Sequence, residues 1–160
     1  MKTLTIENKY IICQFDELSA DLQNLIEKAK EQVVKSYAPY SEFKVGAAAM
    51  LDNGEIFAAG NQENSAYPSG LCAERVAVFY ANSQYPNAKI KCIAIAAFTN
   101  GNFLAEPITP CGGCRQVLLE SENRQAEAIK LLLYGTENIF ILDSAKSLLP
   151  LCFEQSSLQL

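Results

Sequence analysis

The sequence predicts a three-layer α/β/α protein built on a mixed five-stranded sheet. Three observations lead there. Segments with helical spacing of apolar residues alternate with short apolar runs of strand length, the pattern of a sheet covered by helices. An Asn53-Gly54 pair joins two of those runs and tolerates the positive φ of a tight hairpin turn, so neighbouring strands there run antiparallel. A third run, KIKCIAIAAF, is apolar almost without interruption, as expected of a central strand buried on both faces.

The elements follow in order. The first fifteen residues read as an extended arm ahead of a single domain that takes in the rest of residues 1–160. From Ser19, a candidate N-cap, Leu22, Leu25, Ile26, Ala29 and Val33 recur at spacings of three and four and give one apolar helix face. Pro39 ends this helix, because the residue before proline avoids helical geometry. FKVGAAAML is then a buried strand, Asp52 to Glu55 the turn, and IFAAGN the returning strand. The loop NQENSAYPSG leads to a helix over 72–84. After the central strand, a loop through TNGN and Glu106-Pro107 reaches Pro110 and a helix over 111–123. IKLLLY and NIFIL supply two more strands, and a short helix over 144–149 precedes the tail. Helices that follow strand-end loops place their N-termini along one edge of the sheet, where α/β folds build their sites.

Composition narrows the function. The chain has 160 residues, enough for one domain with a sizeable core. Its net charge is −5 and its lysines and arginines are scattered, which speaks against a nucleic-acid polymer as partner and for a small molecule. No apolar run is long enough for a membrane span, and MKTLTIENKY has no apolar segment behind its lysine. A cytoplasmic protein with six reduced cysteines is the resulting expectation. There is no histidine, so acid–base chemistry near neutral pH falls to a tuned carboxylate, cysteine, lysine or tyrosine, or to a metal-bound water.

The cysteines carry the strongest signal. Cys111-Gly112-Gly113-Cys114 alone is equally a redox pair, half of a structural zinc site, or two buried thiols. Cys72, also at a helix start, adds a third thiol, and three thiolates with an open fourth position describe a catalytic zinc site. Glu74 stands two residues from Cys72 and can face that position without ligating. Water on zinc ionises near pH 7, and Glu74 would take its proton and hand it on. Against this, a glutamate in a first helical turn is often only a partner of the helix dipole. Cys13, Cys92 or Cys152 would close the site as a fourth ligand. Zn²⁺ with three thiolates sums to about −1, against about 0 for one histidine and two cysteines, and the extra charge opposes ionisation of the water. Arg75, next to Glu74, is placed to offset it by donating hydrogen bonds to thiolate sulfur.

Cys72-Ala73-Glu74 followed by Pro110-Cys111-Gly112-Gly113-Cys114 resembles the zinc nucleobase deaminases, whose general pattern is H-x-E followed by P-C-x-x-C. With cysteine in the histidine position it is similar to the small homotetrameric cytidine deaminases, and the likeness runs through YAPYSEFKVGAA, GNQENSAYPSGLCAER, TPCGGCRQV and SLLPLCF. The resemblance implies a cytidine deaminase-like fold, one zinc ion per subunit, and hydrolytic deamination of cytidine and deoxycytidine in pyrimidine salvage. It implies that Asn61 and Glu63 bind ribose and that Phe43 lines the base pocket. It further implies that the Ala73 amide and Thr109 carbonyl hold the base, and that Phe153 reaches a neighbouring subunit's site. Gln62 departs from the pattern, standing where an apolar residue is usual. An aminonucleoside-antibiotic deaminase or a nucleic-acid-editing deaminase with the same zinc core is the alternative, and a non-catalytic zinc protein is a third class.

Overall fold

A computed structural model describes residues 1–158. The elements are β1 (Ile11–Cys13), α1 (Ala20–Lys30), β2 (Lys44–Leu51), β3 (Ile56–Gly60), α2 (Ala73–Gln84), β4 (Ile90–Thr99), β5 (Asn102–Phe103), α3 (Gly112–Gln125), β6 (Lys130–Tyr134) and β7 (Ile139–Leu142). The short helix expected over 144–149 is a 3-10 turn, Ala145–Leu148. Ser19 takes the N-cap position of α1, although its side chain makes no capping hydrogen bond.

One sheet organises the chain, in the order β1-β7-β6-β4-β2-β3, with β5 paired to the end of β4. It is mixed: β4 and β6 are parallel and the other pairs antiparallel. The sheet has seven strands rather than the five expected. One extra strand comes from the N-terminal arm, where Ile11, Ile12 and Cys13 pair with Ile141, Phe140 and Ile139 and cover the open edge of β7. The other follows a second Asn-Gly turn: Asn100 and Gly101 both have positive φ, 51° and 81°, which folds Asn102-Phe103 back on β4. Phe103 then packs edge-on against Phe98 and Tyr134.

Strand alternation sorts the core into two layers. On one face Ala47, Ala49, Ile93, Ile95, Leu131 and Leu133 pack under α2 and α3, together with Ala77, Val78 and Leu118. On the other, Ala48, Cys92, Ala94 and Leu132 meet Leu25, Ile26 and Ala29 of α1. The small residues of β2 let the helices sit close. At Gly46 the approach is closest, since any Cβ there would overlap the carbonyl oxygen of Ala29.

Because β2 is antiparallel to both β3 and β4, the ends of β3 and β4 share a sheet edge with the start of β2. The chain leaves β3 at that edge and enters α2 through a loop with a 3-10 turn, Tyr67–Ser69, and it leaves β4 there and enters α3 by way of β5 and a loop. Both helix N-termini therefore meet there, with Phe43 and Lys44 beside them.

Candidate active site

Cys72 is the N-cap residue of α2, Cys111 the N-cap residue of α3, and Cys114 lies one turn into α3. Neither cap uses its side chain on the backbone, which leaves both sulfurs free to face outward from the helix ends. The Cys72 and Cys111 Sγ atoms are 3.7 Å apart, those of Cys111 and Cys114 3.4 Å, and all three sulfurs lie within 4.8 Å of one another. Ligands about 2.3 Å from a tetrahedral zinc stand roughly 3.8 Å apart, so the trio fits that ion. Among the described residues this is the one group of three or more side chains spaced to hold a metal. The remaining cysteines do not close it. Cys13 pairs at the sheet edge, Cys92 is buried on the α1 face, and the Cys152 thiol donates to the Leu149 carbonyl at 3.1 Å. Hydrogen bonds from Cys114, then from Cys111 and Arg75, bring the Cys72 thiol down to about 5. The same contact with Cys72, and burial, push Cys114 up.

Glu74, in the first turn of α2, is only 4% exposed, and its Oε2 has no hydrogen-bond partner. Burial, and then the charge on Cys72, raise its carboxyl above the usual carboxylate range. A buried carboxylate oxygen without a protein partner is costly in a purely structural role and suited to receive a ligand's proton. Ala73 is fully buried at the first helical position, where its N–H has no intrahelical carbonyl to meet.

These groups open on a cavity of about 460 Å³. Phe43, Asn61, Glu63, Cys72, Glu74, Thr109 and Cys111 line it, as do Ser41, Val45 and Ile108, which sequence reasoning passed over. Asn61 bridges the strand entry: its Oδ1 accepts from Val45 N at 2.8 Å and its Nδ2 donates to Phe43 O at 3.0 Å. Glu63 accepts from Tyr40 N at 2.9 Å, from Ser41 N at 3.3 Å, and from the Ser41 hydroxyl through a short contact. The Ser41 hydroxyl, then the Tyr40 amide, lowers its carboxyl. Ser41 lies within the stretch YAPYSEFKVGAA, but its pairing with Glu63, across 22 residues of sequence, leaves no local signal.

Of three further residues named from the sequence, Arg75 reaches the thiol set, while Gln62 and Phe153 lie outside the larger cavity. Arg75 Nη2 donates to Gly70 O at 3.3 Å and stands 4.0 Å from Cys72 Sγ, so its contact with sulfur is long. Gln62 and Arg75 line a smaller adjoining cavity, and Gln62 Nε2 donates to Gly60 O at 3.3 Å rather than facing the larger one. Phe153 is 61% exposed and outside the cavity lining, and its carbonyl accepts from Gln116 Nε2 at 2.9 Å. A Cβ on Gly112 or Gly113 would meet nothing, so packing within the chain does not require glycine at either position.

The chain is similar to known proteins in sequence and in fold. Residues 19–129 match the family model described as the cytidine and deoxycytidylate deaminase zinc-binding region. The cytidine deaminase of Sporosarcina psychrophila is 43% identical over 100 residues, covering 62% of this chain and 69% of that protein. A probable cytidine deaminase of Dictyostelium discoideum is 33% identical over 138 residues, covering 86% and 87%. Among solved structures, the cytidine deaminase of Burkholderia pseudomallei superposes with a TM-score of 0.69 at 38% identity, covering 81% of this chain and 97% of that one.

Proposed function

The chain belongs to the cytidine and deoxycytidylate deaminase zinc-binding family, and from that premise we propose that it hydrolyses cytidine to uridine and ammonia. The observation that carries the proposal is the convergence, on one cavity, of a zinc-spaced thiol trio and a buried carboxylate oxygen with no partner.

Cys72, Cys111 and Cys114 would hold one zinc ion, which supplies Lewis-acid activation of water at neutral pH. The work of the chain is binding and proton transfer. Glu74 takes a proton from the attacking water and delivers it to N3 of the base, then takes the proton of the new C4 hydroxyl and passes it to the amine as the C4–N bond breaks. Atoms balance: water adds at C4, ammonia departs, and the ring carbonyl is left. Thr109 and the Ala73 N–H hold the base, Phe43 packs against it, and Asn61 and Glu63 accept the ribose. Arg75 tempers the charge of the thiolate set. Deoxycytidine is a second substrate, since the ribose contacts assigned to Asn61 and Glu63 need not include the 2′ position.

The protein acts as a cytoplasmic homotetramer in pyrimidine salvage, with Phe153 of each copy reaching a neighbour's cavity. The exposure of that ring in the single chain supports this, and no helix of the described residues is long and apolar enough to cross a membrane. The test is an ultraviolet deamination assay on zinc-loaded protein with cytidine, deoxycytidine, cytosine, adenosine and a single-stranded polynucleotide. Conversion of the cytosine nucleosides alone is expected. Conversion of the polynucleotide but not of cytidine would overturn the reading.

A further inference from the structure

Arg115 occupies the opening turn of α3, where the helix dipole disfavours a cation. Its guanidinium has other partners. Nε donates to Pro110 O at 2.7 Å, Nη2 to Thr109 Oγ1 at 2.9 Å, and Nη1 to Leu148 O at 3.1 Å. One planar fork thus joins the loop that carries Thr109 into the cavity wall with a turn more than thirty residues later. That turn is itself fixed to α3, because Glu122 accepts from Ser144 Oγ at 2.6 Å and from Ala145 N at 2.7 Å. Gln116 holds the next stretch through Phe153 O. Of these three residues of α3, only Arg115 also touches the cavity loop.

We propose that Arg115 is a positioning residue, tying Thr109 and Pro110 to Leu148 so that the cavity wall is set by the docked C-terminal segment. The residues between Pro107 and Pro110 include no regular element, and without the fork the Thr109 side chain has no other recorded hydrogen bond. A lysine at this position has one donor centre at the end of a flexible stem and cannot span three acceptors on two segments. The inference rests on the deaminase reading, because the wall it fixes is the one against which the base is placed.

The experiment separates the two. Turnover of cytidine by the unmodified protein tests the reading alone. The isosteric Thr109→Val, which keeps the size of the side chain and loses the acceptor, should lower kcat/KM roughly tenfold or more. In an Arg115→Met background, which has no donor and is itself reduced by a similar factor, Thr109→Val should add nothing, since the contact is already gone. All variants should keep the zinc content of the parent. Hydrogen exchange of Arg115→Lys should rise together in residues 108–111 and 146–150, a readout independent of any substrate. Additive losses, an unchanged kcat/KM in Thr109→Val, zinc loss, or exchange confined to one segment would each overturn the proposal.

Discussion

Replacing Glu74 by glutamine keeps the shape of the side chain and removes its ability to carry a proton. The residue is 4% exposed, and its unpartnered Oε2 is the atom the proton would use. General acid–base transfer by a positioned side chain contributes about 10²–10⁴ in rate. The expected loss in kcat is therefore of that order, about 2.7–5.4 kcal/mol at 1.36 kcal/mol per decade, with KM little changed. Glu74→Asp tests the geometry as well. It withdraws the carboxylate by one methylene, about 1.5 Å, and stretches a proton-transfer contact of about 3 Å to roughly 4.5 Å. The backbone cannot follow, because Arg75 N and Val76 N are already bonded to Cys72 O at 3.1 and 3.2 Å in the first turn of α2. Aspartate should thus fall between wild type and glutamine. Thermal stability should not drop in Glu74→Gln, since a neutral amide replaces a carboxyl whose charged form is penalised by burial. Steady-state deamination of cytidine, with zinc measured on the same samples, decides the matter. A zinc-replete Glu74→Gln protein with kcat within about threefold of wild type would refute the proton-carrier role.

Cys111→Ser should leave the fold intact, because the side chain is exposed, but should lower bound zinc well below one ion per chain in metal analysis and abolish turnover. Gly46→Ala should cost on the order of 2 kcal/mol in urea denaturation, as the added Cβ forces α1 away from β2 at the Ala29 carbonyl. Lys91, then Lys89, hold the Glu127 carboxyl down at about 2. A lowered folded value means stability that is present above the unfolded value, near 4.5, and lost as pH falls toward 2. The difference in denaturation midpoint between wild type and Glu127→Gln should be measurable at pH 6, close on acidification through that window, and shrink in high salt because the group is exposed.

The layered sheet was legible because periodicity reports burial directly. The run Ile90–Thr99 alternates Cys92, Ala94 and Ala96 to one core with Ile93, Ile95 and Ala97 to the other, and a strand apolar on both faces has nowhere else to lie. The two short strands were not legible in the same way. Ile11–Cys13 is too brief for periodicity, and its place beside β7 depends on an edge that exists only once the sheet is assembled. The Asn100-Gly101 turn did carry a local signal, the same dipeptide that marks the hairpin at Asn53-Gly54, but only two residues follow before pairing ends. Pairing that short sits below what side-chain patterning can register.

The site divides along another line. Cys72, Glu74, Cys111 and Cys114 could be picked out because few side-chain types bind zinc or carry protons, and a chain without histidine has fewer still. Their grouping follows from helix starts at a common sheet edge, which the order of elements already implies. What stayed hidden is how the cavity wall is held, which is through backbone atoms. Asn61 bonds Val45 N and Phe43 O, Glu63 bonds Tyr40 N, and Arg115 bonds Pro110 O and Leu148 O. Every residue offers the same amide and carbonyl, so such partners leave no mark in composition or spacing. Phe153 is exposed in the single chain, and the role proposed for it depends on a second copy. The chemistry of this site is written in side-chain identity, whereas its geometry is set by main-chain contacts between segments far apart in sequence. Substitutions at the first set should therefore change kcat with the fold intact, while those at the second should move KM and local hydrogen exchange together.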